Sequence, residues 1–178
     1  MGLDTLRDAA PDYAKDLQLN LGSVITTSSL DPAMAWGTAL SAALVSKNGT
    51  VIREILSDAR QHLDDTQISG VKAAAAIMSM NNVWYKFTDL IKDDEVKRQP
   101  ARLRMNVMAN HGGVSQANFE AWSLAASVVN SCGVCVNAHA AQLRKQELST
   151  QQIVDIGRIA SVVKAVADTL SFEAYINA

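Results

Sequence analysis

Two cysteines in a chain of 178 residues are too few for a disulfide-stapled scaffold, and both fall in one Cys132-Gly-Val-Cys135 pair. Secreted small domains spread several pairs along the chain, whereas one close pair in a reducing compartment points to redox or metal chemistry. Aromatic residues are scarce at 5%, and no run of alternating apolar and polar residues is long enough to demand a sheet. The 16 basic residues do not outnumber the 18 acidic ones. No positive stripe exists to track phosphates, which argues against nucleic acid as a partner. No apolar run reaches the roughly 18 residues of a membrane span, and the apolar stretch 73–80 reads as a buried helix. The opening Met1-Gly-Leu-Asp-Thr-Leu-Arg-Asp is acidic and polar, without the apolar core of a signal peptide. A cytoplasmic protein away from membranes is expected.

Apolar residues make up 48% of the chain and charged residues 19%, a balance that folds and does not stay disordered. The length fits a single domain over residues 1–178, large enough to bury a core without staples. Abundant Ala, with Leu, Met and Gln, favours helix, so an all-α fold is expected. Helix punctuation is frequent. Asp31-Pro32 offers an N-cap followed by proline at the first helical position, and the helix it opens stops near Asn48-Gly49. Asp64 with Gln67 and Ser149 with Gln152 have the spacing of capping boxes, each ahead of a long helical run. Ser115 is a candidate cap for a helix through Asn130. The charged stretch 93–100 reads as a loop, 103–108 as helix, and Asn81-Asn82 as a helix end. A faint internal repeat places Trp36 on Trp122, residues 63–68 on 148–153, and Ser46 opposite Cys132. It implies two similar halves, a degenerate one of about residues 1–100 and an active one of about 101–178.

The chemistry concentrates in Cys132-Gly-Val-Cys135-Val-Asn-Ala-His139. With Ser131 as N-cap, Cys132 opens a helix on which Cys135 lies at i+3 and His139 four residues further, so all three share one face. A free thiol, with a pKa of about 8.5, is mostly protonated at neutral pH. The helix dipole favours a thiolate at Cys132, and Cys135, deeper in the helix, has His139 within reach as a base. A thiolate attacks a peroxide oxygen to give a sulfenic acid. A neighbouring thiol condenses with it to a disulfide, which exchange with another dithiol reopens. Glu120, on the preceding helix, could orient the imidazole through its second nitrogen, although a lone Glu on a helix ordinarily reads as a solvated surface residue.

Other readings of the same residues stand beside this one. Cys-x2-Cys-x3-His supplies three of the four ligands of a structural zinc site, with His62 and His111 as spares. That gives a zinc-stapled helical interaction module. A buried, inert cysteine pair is a further possibility. Cys-Gly-Val-Cys also resembles the motif of a general disulfide reductase, but without the βαβ pattern expected around it. His62 reads as a helix-end cap or a solvated residue and His111 as a surface turn residue. Trp36, Trp84, Trp122, Met78 and Met80 read as core.

The spacing Glu120-x11-Cys132-x2-Cys135-x3-His139 resembles the signature of the carboxymuconolactone decarboxylase-like superfamily, and most closely its AhpD family of alkyl hydroperoxide reductases, as in actinobacteria. Blocks such as Pro11-Asp-Tyr-Ala-Lys-Asp-Leu, Ala75-Ala-Ile-Met-Ser-Met-Asn-Asn-Val, Leu103-Arg-Met-Asn and Ala117-Asn-Phe-Glu-Ala-Trp-Ser carry the likeness along nearly the whole chain. The resemblance implies a multi-helix AhpD-like fold built on an internal duplication and assembled as a homotrimer. It implies an antioxidant peroxidase with no bound cofactor that also reduces the peroxiredoxin AhpC. A redox-active Cys132–Cys135 disulfide would be reduced by lipoyl groups on a dihydrolipoamide acyltransferase, recharged by a flavin dihydrolipoamide dehydrogenase with NADH. Carried over by position, Cys135 would meet the hydroperoxide and form the mixed disulfide with AhpC. Cys132 would be its partner thiol and proton donor, and Glu120 and His139 the proton relay. Where some members carry a second histidine between the cysteines, this chain has Val134. Any relay step through that position is missing or taken by water, so altered activation of Cys132 is expected. A ring-opening lactone decarboxylase, also within the superfamily, would leave the cysteine pair without a task.

Overall fold

The computed structural model describes residues 2–177, and among them every regular element is helical. In chain order these are α1 (Gly2–Ala9), α2 (Lys15–Val24), α3 (Pro32–Ser46), α4 (Gly49–Ala59), α5 (Asp65–Leu90), α6 (Asp94–Lys97), α7 (Val107–Asn110), α8 (Gln116–Val129), α9 (Gly133–Lys145) and α10 (Thr150–Ile176), with short 3-10 turns at Asp12–Ala14 and His111–Gly113. No helix among the described residues is long and apolar enough to cross a membrane.

The boundaries follow from local chemistry. Asp31 accepts the Met34 amide and Pro32 sits at the start of α3, where its missing N–H costs nothing. Lys47 ends α3 in the left-handed region, φ 62°, and Asn48 at once caps α4 through the Val51 amide. Both capping boxes form: Asp64 with Gln67 opens α5, and Ser149 with Gln152 opens α10. The sets α3–α4–α5 and α8–α9–α10 thus share an order, two shorter helices and one long one opened by a capping box. Counted from the N-caps, Asn48 rather than Ser46 holds the place of Cys132.

Helices α3 and α8 are apolar almost all round and lie at the centre, where such helices belong. Trp122, fully buried, is pinned between them. Its Nε1 donates to the Met34 carbonyl at 3.3 Å, and its own carbonyl accepts the Ser41 hydroxyl at 2.7 Å. The close approach depends on Gly37, because a Cβ there would stand 2.1 Å from the indole nitrogen. Helices α5, α9 and α10 pack around this pair and bury Val71, Ala74, Leu143, Ile156, Ile159 and Val163.

Several expectations are corrected. Residues 94–97 form a helical turn because Asp93 caps the Glu95 and Val96 amides. Residues 101–105 are irregular, with Arg102 at φ 48°, and helix resumes only at Val107. Asn81 and Asn82 do not end a helix. They lie buried inside α5, which runs on to Leu90, and the Asn82 amide donates across to Ser127 Oγ at 2.8 Å rather than to the helix's own carbonyls. Trp84 is only half-buried, on the outer part of α5 beside Phe87. His62 is exposed, as its solvated reading had it. The turn after α4 folds it back over α3, where its ring stacks on Trp36 at 5.1 Å.

Candidate active site

The site is assembled at the start of α9. After α8 the chain reverses through Ser131, which adopts a left-handed φ of 55°. Ser131 therefore cannot cap α9. Cys132 is the cap, and its Sγ accepts the Cys135 amide at 3.4 Å. Among the first residues of α9 the buried positions are Cys135 and His139, with Cys132 at the cap, so the shared face expected from the spacing exists. Cys132 and Cys135 are joined by a disulfide with their Cα atoms 5.3 Å apart. The two sulfurs are not equivalent. Cys132 is completely buried, while Cys135 faces a cavity.

His139 is held from both sides. Its Nδ1 lies 2.6 Å from Glu120 Oε2, with both side chains buried. A carboxylate can only accept, so Nδ1 carries the hydrogen and Nε2 is left as the basic nitrogen. Glu120 is thus not a solvated residue. It projects from α8 into the interior, as the neighbouring positions Phe119 and Ala121 to Ser123 do, because α8 is covered on every side. On the far side, Met78 Sδ of α5 lies 3.2 Å from His139 Nε2. The same sulfur is approached by Ser127 Oγ at 3.6 Å and Asn82 Nδ2 at 3.7 Å. A thioether only accepts, so it receives the Nε2–H when the ring is doubly protonated. Met78 is therefore more than core filler.

A cavity of about 490 Å³ opens beside Cys135 and His139, lined also by Met78, Asn81, Tyr85, Met105, Met108 and Val134. A larger cavity of about 740 Å³ lies between α2 and α10, near Asp155 and Arg158, and contains no thiol. Cys135 and His139 both line the smaller one. Neither spare histidine joins the cysteines, since His62 stacks on Trp36 and His111 meets Phe119 edge-on. Among the described residues no group of three or more His, Cys, Asp or Glu is placed to hold a metal ion.

The model of the carboxymuconolactone decarboxylase family matches residues 94–176, a span that includes Glu120, Cys132, Cys135 and His139. An alkyl hydroperoxide reductase AhpD of Rhodospirillum centenum is 50% identical over 177 residues, 99% of this chain and 95% of that protein. The chain belongs to the AhpD family. Further relatives of the same name come from Streptomyces coelicolor, 46% identical over 178 residues (100% of this chain, 99% of the relative), and Maricaulis maris, 44% identical over 173 residues (97% and 99%). Within this AhpD-family chain Val134 stands at the cavity mouth, partly exposed, and contributes only apolar surface there. The residues that sequence reasoning did not connect with the site, Met78, Asn81, Tyr85, Met105 and Met108, come from α5 and the segment before α8. Met78, Asn81 and Tyr85 are spaced i, i+3, i+7, a helical stripe that points to one face only once α5 is known to continue past Asn82.

Proposed function

We propose that this chain is an alkyl hydroperoxide reductase that works through its dithiol, in keeping with the name its relatives carry. The observation that carries the reading is the placement of a bonded cysteine pair beside a buried Glu120–His139 dyad, with Cys135 and not Cys132 lining the cavity. In the reduced protein His139 Nε2 takes the Cys135 proton. The thiolate attacks the terminal peroxide oxygen, an S–O bond forms as the O–O bond breaks, and the alkoxide leaves as alcohol with that proton. Cys132 then attacks the Cys135 sulfur and expels water, closing the disulfide. The amide at the start of α9 that reaches Cys132 Sγ helps that thiol react as thiolate.

The sulfur that faces the cavity is also the one an exchanging partner can reach. We assign to Cys135 the mixed disulfide with AhpC, and to a lipoylated dihydrolipoamide acyltransferase, recharged by dihydrolipoamide dehydrogenase, the reduction of the closed pair. A reducing cytoplasm suits a dithiol that must be recycled. A homotrimer has surface to use: Val83, Phe87 and Leu90 form an exposed apolar stripe on the outer part of α5, with Leu90 70% accessible.

The test is a thiol count on purified protein before and after one equivalent of alkyl hydroperoxide, with metal analysis of the same sample. Loss of two thiols per chain, reversed by dihydrolipoamide and not by a thioredoxin system, is the expected result. Two unreactive thiols with about one zinc per chain would replace this reading with the structural-zinc one.

A further inference from the structure

Cys132 is delivered to its partner by a strained turn. Ser131, just before it, adopts a left-handed φ of 55°, a region that costs a non-glycine residue free energy and persists only where its surroundings impose it. Packing from outside does not impose it, because Ser131 and Gly133, on either side of the buried Cys132, are both exposed. The restraint comes from α5. Buried Asn82 holds both ends of the segment 127–130: its Nδ2 donates to Ser127 Oγ at 2.8 Å and its Oδ1 accepts from Asn130 Nδ2 at 2.9 Å. One turn further along α5, Lys86 Nζ donates to the Asn130 carbonyl at 2.9 Å. Ser127 passes the restraint on, since its own carbonyl accepts the Cys132 amide at 3.1 Å. Two residues at i and i+4 on one helix thus grip the stretch from which Cys132 hangs.

We infer that Asn82 and Lys86 are positioning residues for Cys132, which act through the turn 130–132 to set how firmly the Cys132–Cys135 pair keeps its oxidised form. The inference rests on the dithiol reading of the site and not on peroxide as the oxidant. The exchange that measures it is balanced. An external dithiol gives up two electrons and two protons and its own sulfurs join. The Cys132–Cys135 bond breaks and each cysteine sulfur takes one of the protons. Closure is favoured to the extent that the reduced chain keeps the two Cα atoms near the 5.3 Å they have in the disulfide. With the clamp in place the open dithiol cannot relax the Ser131 turn, so little freedom is lost when the bond forms. Without it, Ser131 leaves the left-handed region in the reduced protein, the sulfurs separate, and the dithiol gains over the disulfide. The clamp therefore makes the pair harder to reduce.

The experiment equilibrates the full-length protein with graded ratios of reduced to oxidised dithiothreitol at neutral pH, quenches with acid and counts free thiols. In Lys86→Met, which keeps the apolar stem and loses the ammonium donor, the equilibrium should move toward the dithiol by about 10-fold, the order of one hydrogen bond from a charged group. That is a rise of about 30 mV in the reduction potential of the pair. Asn82→Ala should move it the same way and at least as far. If Asn82→Ala does not fold, Lys86→Met, at a half-buried position, decides alone. Asp155→Asn, a destabilising change in α10, should keep the wild-type equilibrium, which separates loss of the clamp from general loss of stability. Variants of Asn82 and Lys86 that stay within about 2-fold of wild type, well short of one hydrogen bond, overturn the inference and leave the dithiol reading standing. An equal shift in Asp155→Asn also overturns it, because the pair would then follow overall stability. Wild-type protein whose pair does not open and reclose with dithiothreitol removes the dithiol reading itself, and the inference with it.

Discussion

Cys132 and Cys135 differ in access, and from that their roles can be separated. Oxidation of Cys132→Ser by one equivalent of hydroperoxide should stop at the sulfenic acid, because no second thiol is present to condense with it. Dimedone labelling should find about one adduct per chain, on Cys135. Cys135→Ser should give none, since the remaining sulfur is sealed beneath the helix start. Glu120 is tested by a change that keeps its shape. Glu120→Gln can still bond to the imidazole but no longer stabilises the imidazolium. Alkylation of Cys135 at pH 7 should slow by about 10- to 100-fold, the range seen when an orienting partner of a functional histidine is lost.

Two elements owe their positions to single residues. Helices α3 and α8 meet at Gly37, and a methyl group there has nowhere to go, because Trp122, whose indole it would strike, is held by a hydrogen bond from that indole and by another at its backbone carbonyl. Gly37→Ala should destabilise the protein by about 1–3 kcal/mol in urea unfolding, despite the better helix propensity of alanine. Near its start α10 is tied to the α2–α3 connection through Asp155. Its Oδ2 accepts the Ser29 amide at 2.9 Å and hydroxyl at 2.8 Å, and its Oδ1 accepts from Arg158 at 3.0 Å and Gln151 at 2.9 Å. Burial by itself would push this carboxyl up, but the hydrogen bonds from Ser29, Arg158 and Gln151 together hold it below its ordinary 3.8. A depressed folded value means stability that is fully present above the unfolded carboxyl range and lost as pH falls through the folded value. Asp155→Asn should therefore cost about 1–3 kcal/mol at pH 7. Its deficit should narrow as the pH falls below 3.8, which unfolding curves at the two ends of that range would show.

At the scale of the molecule, the long α5 does two jobs. As far as Asn82 it packs into the core and supplies Met78 and Asn81 to the site, while beyond that it carries Val83, Phe87 and Leu90 into solvent. If the proposed trimer uses this stripe, Phe87→Glu together with Leu90→Glu should shift sedimentation from trimer to monomer while the Cys132–Cys135 pair still closes with peroxide. The duplication proposed from the sequence finds support in the matched order and capping of α3–α4–α5 and α8–α9–α10. On that view the first set keeps the packing and has Asn48 as cap where the second has a thiol.

Local chemistry is what the sequence by itself determined. The cap residues, both capping boxes, the helical composition and the Cys132, Cys135, His139 face all depend on residues within a turn or two of one another, so spacing alone reveals them. Where spacing failed, the deciding contacts were between helices. Nothing near Glu120 in the chain says that α8 is buried on every side, and nothing near Met78 or Asn81 says that His139 and Cys135 lie opposite. The same holds for Ser131, whose left-handed turn moved the cap to a cysteine. Those placements arise when α5, α8 and α9 pack around one interior. The tertiary structure alone turned a helical stripe of thiols and imidazole into a cavity with a base and an oriented carboxylate beside it.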